Sequence, residues 1–230
     1  MLISLIHPSR GRAKQARKAI DNWNDKSSGE IEIEYILSID DNDPQFEEYL
    51  TETIASNDMK NGDAITVINN NKSVVEATNY AAKKSSGDII VYMSDDFDCP
   101  QNWDKLILEE LEIQSSFSDT PKLWCMKIHD NLQKFSVDII TMPIMSRELY
   151  LKLRYFFHPE YKSMYVDRDL FHVCKNNGWL INAPYLVFTH NHYSAGRSSH
   201  DKTYKESEAH WQTGRGIFLK RKNLKFPLIG

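Results

Sequence analysis

The chain has 230 residues, 41% of them hydrophobic and 11% aromatic, enough for one sizeable globular domain. With 28 basic and 32 acidic side chains the formal net charge is −4, which argues against broad nonspecific binding to nucleic acid or membrane surfaces. No run approaches the ~20 apolar residues of a membrane span, and MLISLIHPSRGR has too short an apolar core for a signal peptide, so no stable membrane insertion is expected.

In chain order, the apolar run 2–6 predicts a strand that ends in His-Pro-Ser-Arg-Gly-Arg. Ala13, Ala16, Ile20 and Trp23 then recur at helical spacing. Residues 31–39 predict a second strand ending at Asp40 and Asp41, and Phe46, Tyr49, Leu50, Thr53 and Ile54 a second helix behind Pro44. Residues 64–68 predict a third strand. Ser73 with Glu76 reads as a capping box that opens a helix carrying Val74, Ala77, Thr78 and Ala81, ended by Gly87. Residues 89–92 predict a fourth strand. The β-α-β-α-β-α-β order predicts a parallel sheet covered by helices.

Beyond residue 100 the pattern is less regular. Trp103, Leu106, Ile107 and Leu111 predict a helix. Residues 123–128 and 137–142 read as strands, and 147–157 and 169–176 as helices, the latter stopped by Asn177-Gly178. Residues 180–189 predict a last strand. A polar segment with Gly196 follows, in which His200, Asp201 and Tyr204 could fold over a ligand as a lid. The chain divides into a first half, 1–98, a second half, 99–215, and a basic tail, 216–230, all within one domain. Cys99, Cys125 and Cys174 are odd in number and widely separated, which fits neither a disulfide framework nor a zinc spacing and points to a reducing, cytoplasmic compartment.

Chemistry concentrates in MSDDFDCPQNWD, directly after the fourth strand. Three carboxylates, Asp95, Asp96 and Asp98, fall within four residues at the carboxyl end of a strand, where open α/β sheets bind ligands. Crowded carboxylates favour a bound cation, and hard oxygen ligands suit Mg²⁺ or Mn²⁺, which work by bridging carboxylates to phosphates. Arg10 and Arg12 stand where a helix begins, a place unfavourable for cations unless an anion is bound beside them. His190 and His192, two residues apart on an extended segment, point the same way. Of Trp124, Tyr150, Tyr155, Phe156, Phe157, Tyr161, Tyr165 and Trp179, most are expected in the core and no more than two at a site.

Taken together, Pro8-Ser9-Arg10 after the first strand, Asp40 after the second, Asn79 before Gly87-Asp88, and the Asp95-Asp96 pair resemble the GT-A glycosyltransferases, in particular the large inverting group called family 2. The resemblance covers residues 1 to about 104 and is weaker afterwards. It implies a Rossmann-like α/β fold with a mixed, mainly parallel sheet flanked by helices. It also implies transfer of a sugar from a nucleotide sugar, UDP-linked by expectation, to an acceptor hydroxyl with Mn²⁺ or Mg²⁺. On this reading Pro8, Ser9, Arg10, Arg12, Asp40, Lys72, Asn79 and Asp95 line the nucleotide-sugar site. Asp96 and Asp98 are the metal carboxylates. A common family pattern has a further Asp two residues before the pair, where this chain has Met93, so which of the two is the main ligand stays open. His190 and His192 resemble the late His that some GT-A enzymes add to the metal. The segment Tyr165-Val166-Asp167-Arg168-Asp169 resembles the family's Glu-Asp-x-Asp motif. Asp167 falls on the catalytic base, Val166 replaces the Glu, and Asp169 is the second candidate. The rival readings are a glycosyltransferase acting on modified phage DNA bases, a nucleotidyltransferase and a non-catalytic nucleotide-sugar binding module.

Overall fold

The computed structural model describes residues 1–52, 59–117 and 122–229. Its first half follows the predicted order: β1 (Leu2–Pro8), α1 (Ala13–Lys26), β2 (Glu32–Asp40), α2 (Phe46–Glu52), β3 (Gly62–Asn69), α3 (Val74–Lys84) and β4 (Ile89–Tyr92). Thr53 and Ile54, expected to extend the second helix, lie outside the described residues. β1 pairs in parallel with β2 on one side and β4 on the other, and β3 flanks β2. Residues 3–8 of β1 are all buried, as a strand covered on both faces requires. Its side chains alternate between two cores. Ile3 and Leu5 join Ala16, Trp23 and Trp103 on one face of the sheet, while Ile6 joins Val75, Leu149, Leu170 and Phe218 on the other. The carboxyl ends of β1, β2 and β4 therefore share one edge, beside the point where strand order reverses.

Two local readings change. Ser73 does cap α3, accepting the Glu76 amide at 3.2 Å, but the Glu76 carboxylate returns to the Lys72 amide at 2.9 Å rather than to Ser73. Gly87 does not end the helix. Ser85 does, and Gly87 lies so close to β1 that a Cβ would stand 2.7 Å from the Ser4 nitrogen.

The second half continues with β5 (Phe97–Asp98), α4 (Trp103–Phe117), β6 (Cys125–His129), β7 (Ile144–Ser146), α5 (Arg147–Leu153), α6 (Val166–Asn177), β8 (Leu180–Val187), β9 (Thr189–His190), α7 (Lys202–Glu208) and α8 (Trp211–Asn223). The described strands form a seven-stranded sheet in the order β3-β2-β1-β4-β7-β6-β8 and a separate β5-β9 ribbon. β7 runs antiparallel to β4 and β6, so the sheet is mixed but mainly parallel.

Residues 137–142 are not a strand. The Lys127 ammonium takes the carbonyls of Phe135 and Val137 at 2.6 and 2.5 Å, which holds this apolar stretch as a loop and shifts the strand to Ile144. The predicted helix 147–157 stops at Leu153 because Arg154 takes a left-handed backbone, φ 65°. Residues 216–223, the start of the segment expected as a basic tail, are helical. They are the second half of α8, with Phe218 and Arg221 buried against α6. No helix among the described residues is long and apolar enough to cross a membrane.

Candidate active site

The loop after β1 and the turn after β4 meet through Asp95. Its Oδ1 accepts hydrogen bonds from Ser9 Oγ at 2.8 Å and His7 Nε2 at 2.9 Å, and the side chain is only 6% exposed. His7 is fully buried, and its Nδ1 lies 2.7 Å from the Tyr35 hydroxyl. Ser9 also contacts the Tyr49 hydroxyl at 2.5 Å. Asp95 thus braces the floor of the site. Pro8 ends β1 directly before this loop. His7, Tyr35 and Tyr49 were missed in the sequence reading, although a His inside an apolar strand is a signal, since buried polar groups demand partners.

At the end of β2, Asp40 Oδ1 accepts the Asn71 backbone and side-chain N–H groups at 3.0 and 2.8 Å. Its Oδ2 accepts Arg10 Nη1 at 2.8 Å, and Arg10 also reaches Asn42. Lys72 is exposed beside Asn71. The structure therefore brings Pro8, Ser9, Arg10, Arg12, Asp40 and Asp95 to one edge. Asn79 is elsewhere. Its amide donates to the Phe157 carbonyl at 2.8 Å and accepts the Phe156 and Phe157 amides at 2.9 Å, which secures the turn beyond α5.

Asp96 faces the cavity. Its Oδ1 accepts Ser94 Oγ at 2.5 Å, and its Oδ2 lies 3.1 Å from His190 Nε2 and accepts the Tyr204 hydroxyl at 2.6 Å. Burial pushes this carboxyl up, but the hydrogen bonds and charge of His190, with Ser94 and Tyr204, outweigh it and hold the group well below the ordinary carboxylate range. The β5-β9 ribbon places His190 by pairing it with Phe97, on which its ring stacks at 4.2 Å. The His190 Nδ1 is buried without a hydrogen-bond partner. Asp98 is exposed and accepts Asn191 Nδ2 at 2.9 Å, so Asp96 and not Asp98 faces His190. His192 lies one ring away at 5.0 Å, with its Nδ1 on Ser194.

The described residues contain no preformed cluster of three or more metal-binding side chains. Asp96 and His190 nevertheless fit a divalent cation. Two neighbouring donors of one octahedral ion with bonds of about 2.1 Å sit about 3 Å apart, as the Asp96 oxygen and His190 nitrogen do at 3.1 Å. A carboxylate oxygen with an imidazole nitrogen suits Mn²⁺ better than Mg²⁺.

Arg12 is buried, and its anion is internal. Nε and Nη2 make a bidentate pair with Asp201 at 2.8 and 2.9 Å, and the guanidinium lies 4.4 Å over the Tyr204 ring. Burial opposes its charge, but Asp201 and Asp95 more than compensate and raise its pKa. Thr203 donates to the Arg10 carbonyl at 3.1 Å. The segment expected as a lid is thus seated on the β1–α1 loop.

A cavity of about 720 Å³ opens between these groups and the start of α6. Asp96, His190, Tyr165, Asp167 and Arg168 all line it. Asp167 stands in the first turn of α6, after Tyr165 in a left-handed backbone with φ 74°. Burial pushes its carboxyl up to about 6, against the Arg168 amide and charge that would lower it. Asp169, two residues on and about 200° around the helix, is turned away. It is buried and takes the Tyr161 hydroxyl at 3.0 Å and Arg221 Nε and Nη2 at 2.6 and 3.2 Å. Of the eight aromatics weighed in the sequence, Phe157 and Tyr165 line the cavity. Trp211 also lines it, from a segment whose approach only the folded chain reveals.

The Asp169–Arg221 pair yields a stability prediction. Removing one member of a buried ion pair strands the other charge. Asp169→Asn is expected to cost about 3 kcal/mol, read as a lower urea midpoint with unchanged slope. An unchanged midpoint would show that the pair is dispensable.

The family described as "Glycosyl transferase family 2" matches residues 4–119, just over half of the chain. No curated protein sequence matches it. Among solved structures, S. aureus TarS 1-349 in complex with UDP superposes with a TM-score of 0.59 at 13% identity over 82% of this chain and 60% of that one. The mannosyltransferase PcManGT from Pyrobaculum calidifontis, in complex with GDP-Man and Mn2+, gives 0.56 at 14% identity over 82% and 56%. GalNAc-T7 with UDP, GalNAc and Mn2+ gives 0.61 at 13% identity over 82% and 43%. The chain thus shares their GT-A fold and spans about half the length of these proteins.

Proposed function

This chain belongs to glycosyl transferase family 2, and from that premise we propose that it is a metal-dependent glycosyltransferase that moves a sugar from a UDP-linked donor to an acceptor hydroxyl with inversion. One observation carries the reading. A metal-competent pair, Asp96 with His190, and a carboxyl pushed up to about 6 by burial, Asp167, line the same cavity at the carboxyl edge of the sheet.

Asp40 and Arg10 meet the nucleoside, and Ser9 and Arg12 the diphosphate side. Arg12 exchanges Asp201 for phosphate oxygens when the donor arrives. Asp96 and His190 would hold the cation, which would supply charge neutralisation to the departing diphosphate. Asp167 takes the proton from the acceptor hydroxyl. The hydroxyl oxygen bonds to the anomeric carbon from the face opposite the nucleotide, and the electron pair of the breaking C–O bond leaves on the diphosphate. The free thiols of Cys99, Cys125 and Cys174 are all buried, which fits work in a reducing compartment such as the cytoplasm.

A thermal-shift screen of UDP and GDP with and without Mn²⁺ tests the donor assignment. UDP at about 100 times its dissociation constant adds ~2.7 kcal/mol, equivalent to about 5–10 °C for a domain of this size, and only when Mn²⁺ is present. Asp40→Ala is expected to weaken UDP about tenfold, one charge-assisted hydrogen bond's worth. No shift with any nucleotide diphosphate would reject the reading.

A further inference from the structure

An aromatic corner of the cavity bears on the acceptor. Trp211 begins α8 and is 46% exposed, yet it lies inside a concave surface. Its ring meets Tyr165 edge-on, with centroids 5.1 Å apart and planes at 70°. Tyr165 in turn packs on Phe218 at 5.6 Å. Two backbone features hold this corner. Gly214 lets α8 press against the 164 segment, where a Cβ would stand 2.2 Å from the Met164 carbonyl oxygen. Tyr165 keeps a left-handed backbone, φ 74°, which is strained for a non-glycine residue and occurs at sites where the strain has a use. The result is an aromatic shelf two residues from Asp167.

The charges around the shelf are one-sided. Among the described lining residues the carboxylates are Asp96, Asp167 and Glu208, against one guanidinium, Arg168. Setting Asp96 aside for the cation still leaves two acids to one base. Such a wall repels phosphate-bearing acceptors and nucleic acid. Its other polar groups include neutral hydroxyls, Ser163 and Ser207 among them, that can bond to other hydroxyls. A sugar ring matches both properties, with C–H faces for an aromatic plane and hydroxyls for the rim.

We propose that the acceptor is an uncharged saccharide that seats one face on Trp211 and turns a hydroxyl to Asp167. This rests on the donor reading above. Ligand-observed NMR on the full chain saturated with UDP and Mn²⁺ tests it with methyl glucoside, methyl galactoside and N-acetylglucosamine against glucose 6-phosphate. At least one neutral sugar is expected to bind at least about tenfold more tightly than the phosphate. Trp211→Ala weakens that sugar about tenfold or more, Trp211→Phe retains it to within about threefold, and both keep the wild-type affinity for UDP. Equal or tighter binding of glucose 6-phosphate, no neutral sugar bound by UDP-loaded protein, or an unaffected Trp211→Ala would each overturn the proposal. Neutral-sugar binding by a protein that takes up no UDP would instead sink the donor reading alone.

Discussion

Asp167→Asn is expected to lower kcat by about 10²–10⁴-fold, the typical contribution of a general base, while making the protein more stable at neutral pH. The two effects share one cause. The carboxyl titrates near 6 in the folded protein against 3.8 ordinarily, because burial disfavours its charged form. A raised carboxyl pKa means that stability is fully present below about 4 and is lost as pH rises through about 6, where the group must ionise inside the cleft. The neutral amide removes that cost. After discounting for partial exposure, the gain is about 1 kcal/mol at pH 8 and none at pH 4, or about 2–4 °C in Tm at the higher pH. A helix-capping role predicts the opposite, a loss of ~1 kcal/mol with activity kept. In the wild type, kcat/KM should rise with pH through about 6 and then level off, since only the ionised carboxylate accepts a proton. Stopped assays across pH 5–8, paired with thermal melts, read both effects. Turnover unchanged in the mutant would remove Asp167 from the chemistry.

Asp96→Asn is expected to abolish Mn²⁺-dependent UDP binding. The loss should exceed the 10–100-fold typical of residues that only support a metal ligand. The amide keeps the shape, and its oxygen can accept from one of the two hydroxyls, Ser94 or Tyr204, while its nitrogen donates to the other, so the fold should survive. His190→Ala should be milder because it removes one imidazole ligand and leaves the carboxylate charge. Asp98→Asn should do little, as Asp98 is exposed and bonded to Asn191. Calorimetric titrations of UDP with and without Mn²⁺ separate the three. Unchanged metal-dependent affinity in Asp96→Asn would reject the assignment.

The parallel half was legible because β1, β2 and β4 are largely buried and read as mostly apolar runs such as Leu5 to Ile6 and Ile89 to Val91. The carboxyl-edge residues followed from where those runs end. The antiparallel insertion was not legible. β7 has only three residues, Ile144 to Ser146, and the longer apolar run before it became a loop because a buried lysine claims its carbonyls. Nor could spacing separate Asp167 from Asp169. Their opposite fates depend on Arg221, more than fifty residues downstream, which buries one carboxylate and leaves the other to the cleft. The partner of Arg12 was hidden for the same reason. A helix start with unpaired cations suggested a bound anion, and the chain supplies one as Asp201 from the far end of the domain. Glycine was misread at position 87, where the requirement is close approach to β1 rather than a helix cap.

A crystal structure of the protein with UDP and Mn²⁺ tests the central claim most directly. The account predicts the cation on Asp96 and His190, the diphosphate between it and Arg12 with Asp201 displaced, and the nucleoside against Asp40. A nucleotide bound away from the carboxyl edge of the sheet, or a cation held by residues other than Asp96, would contradict it.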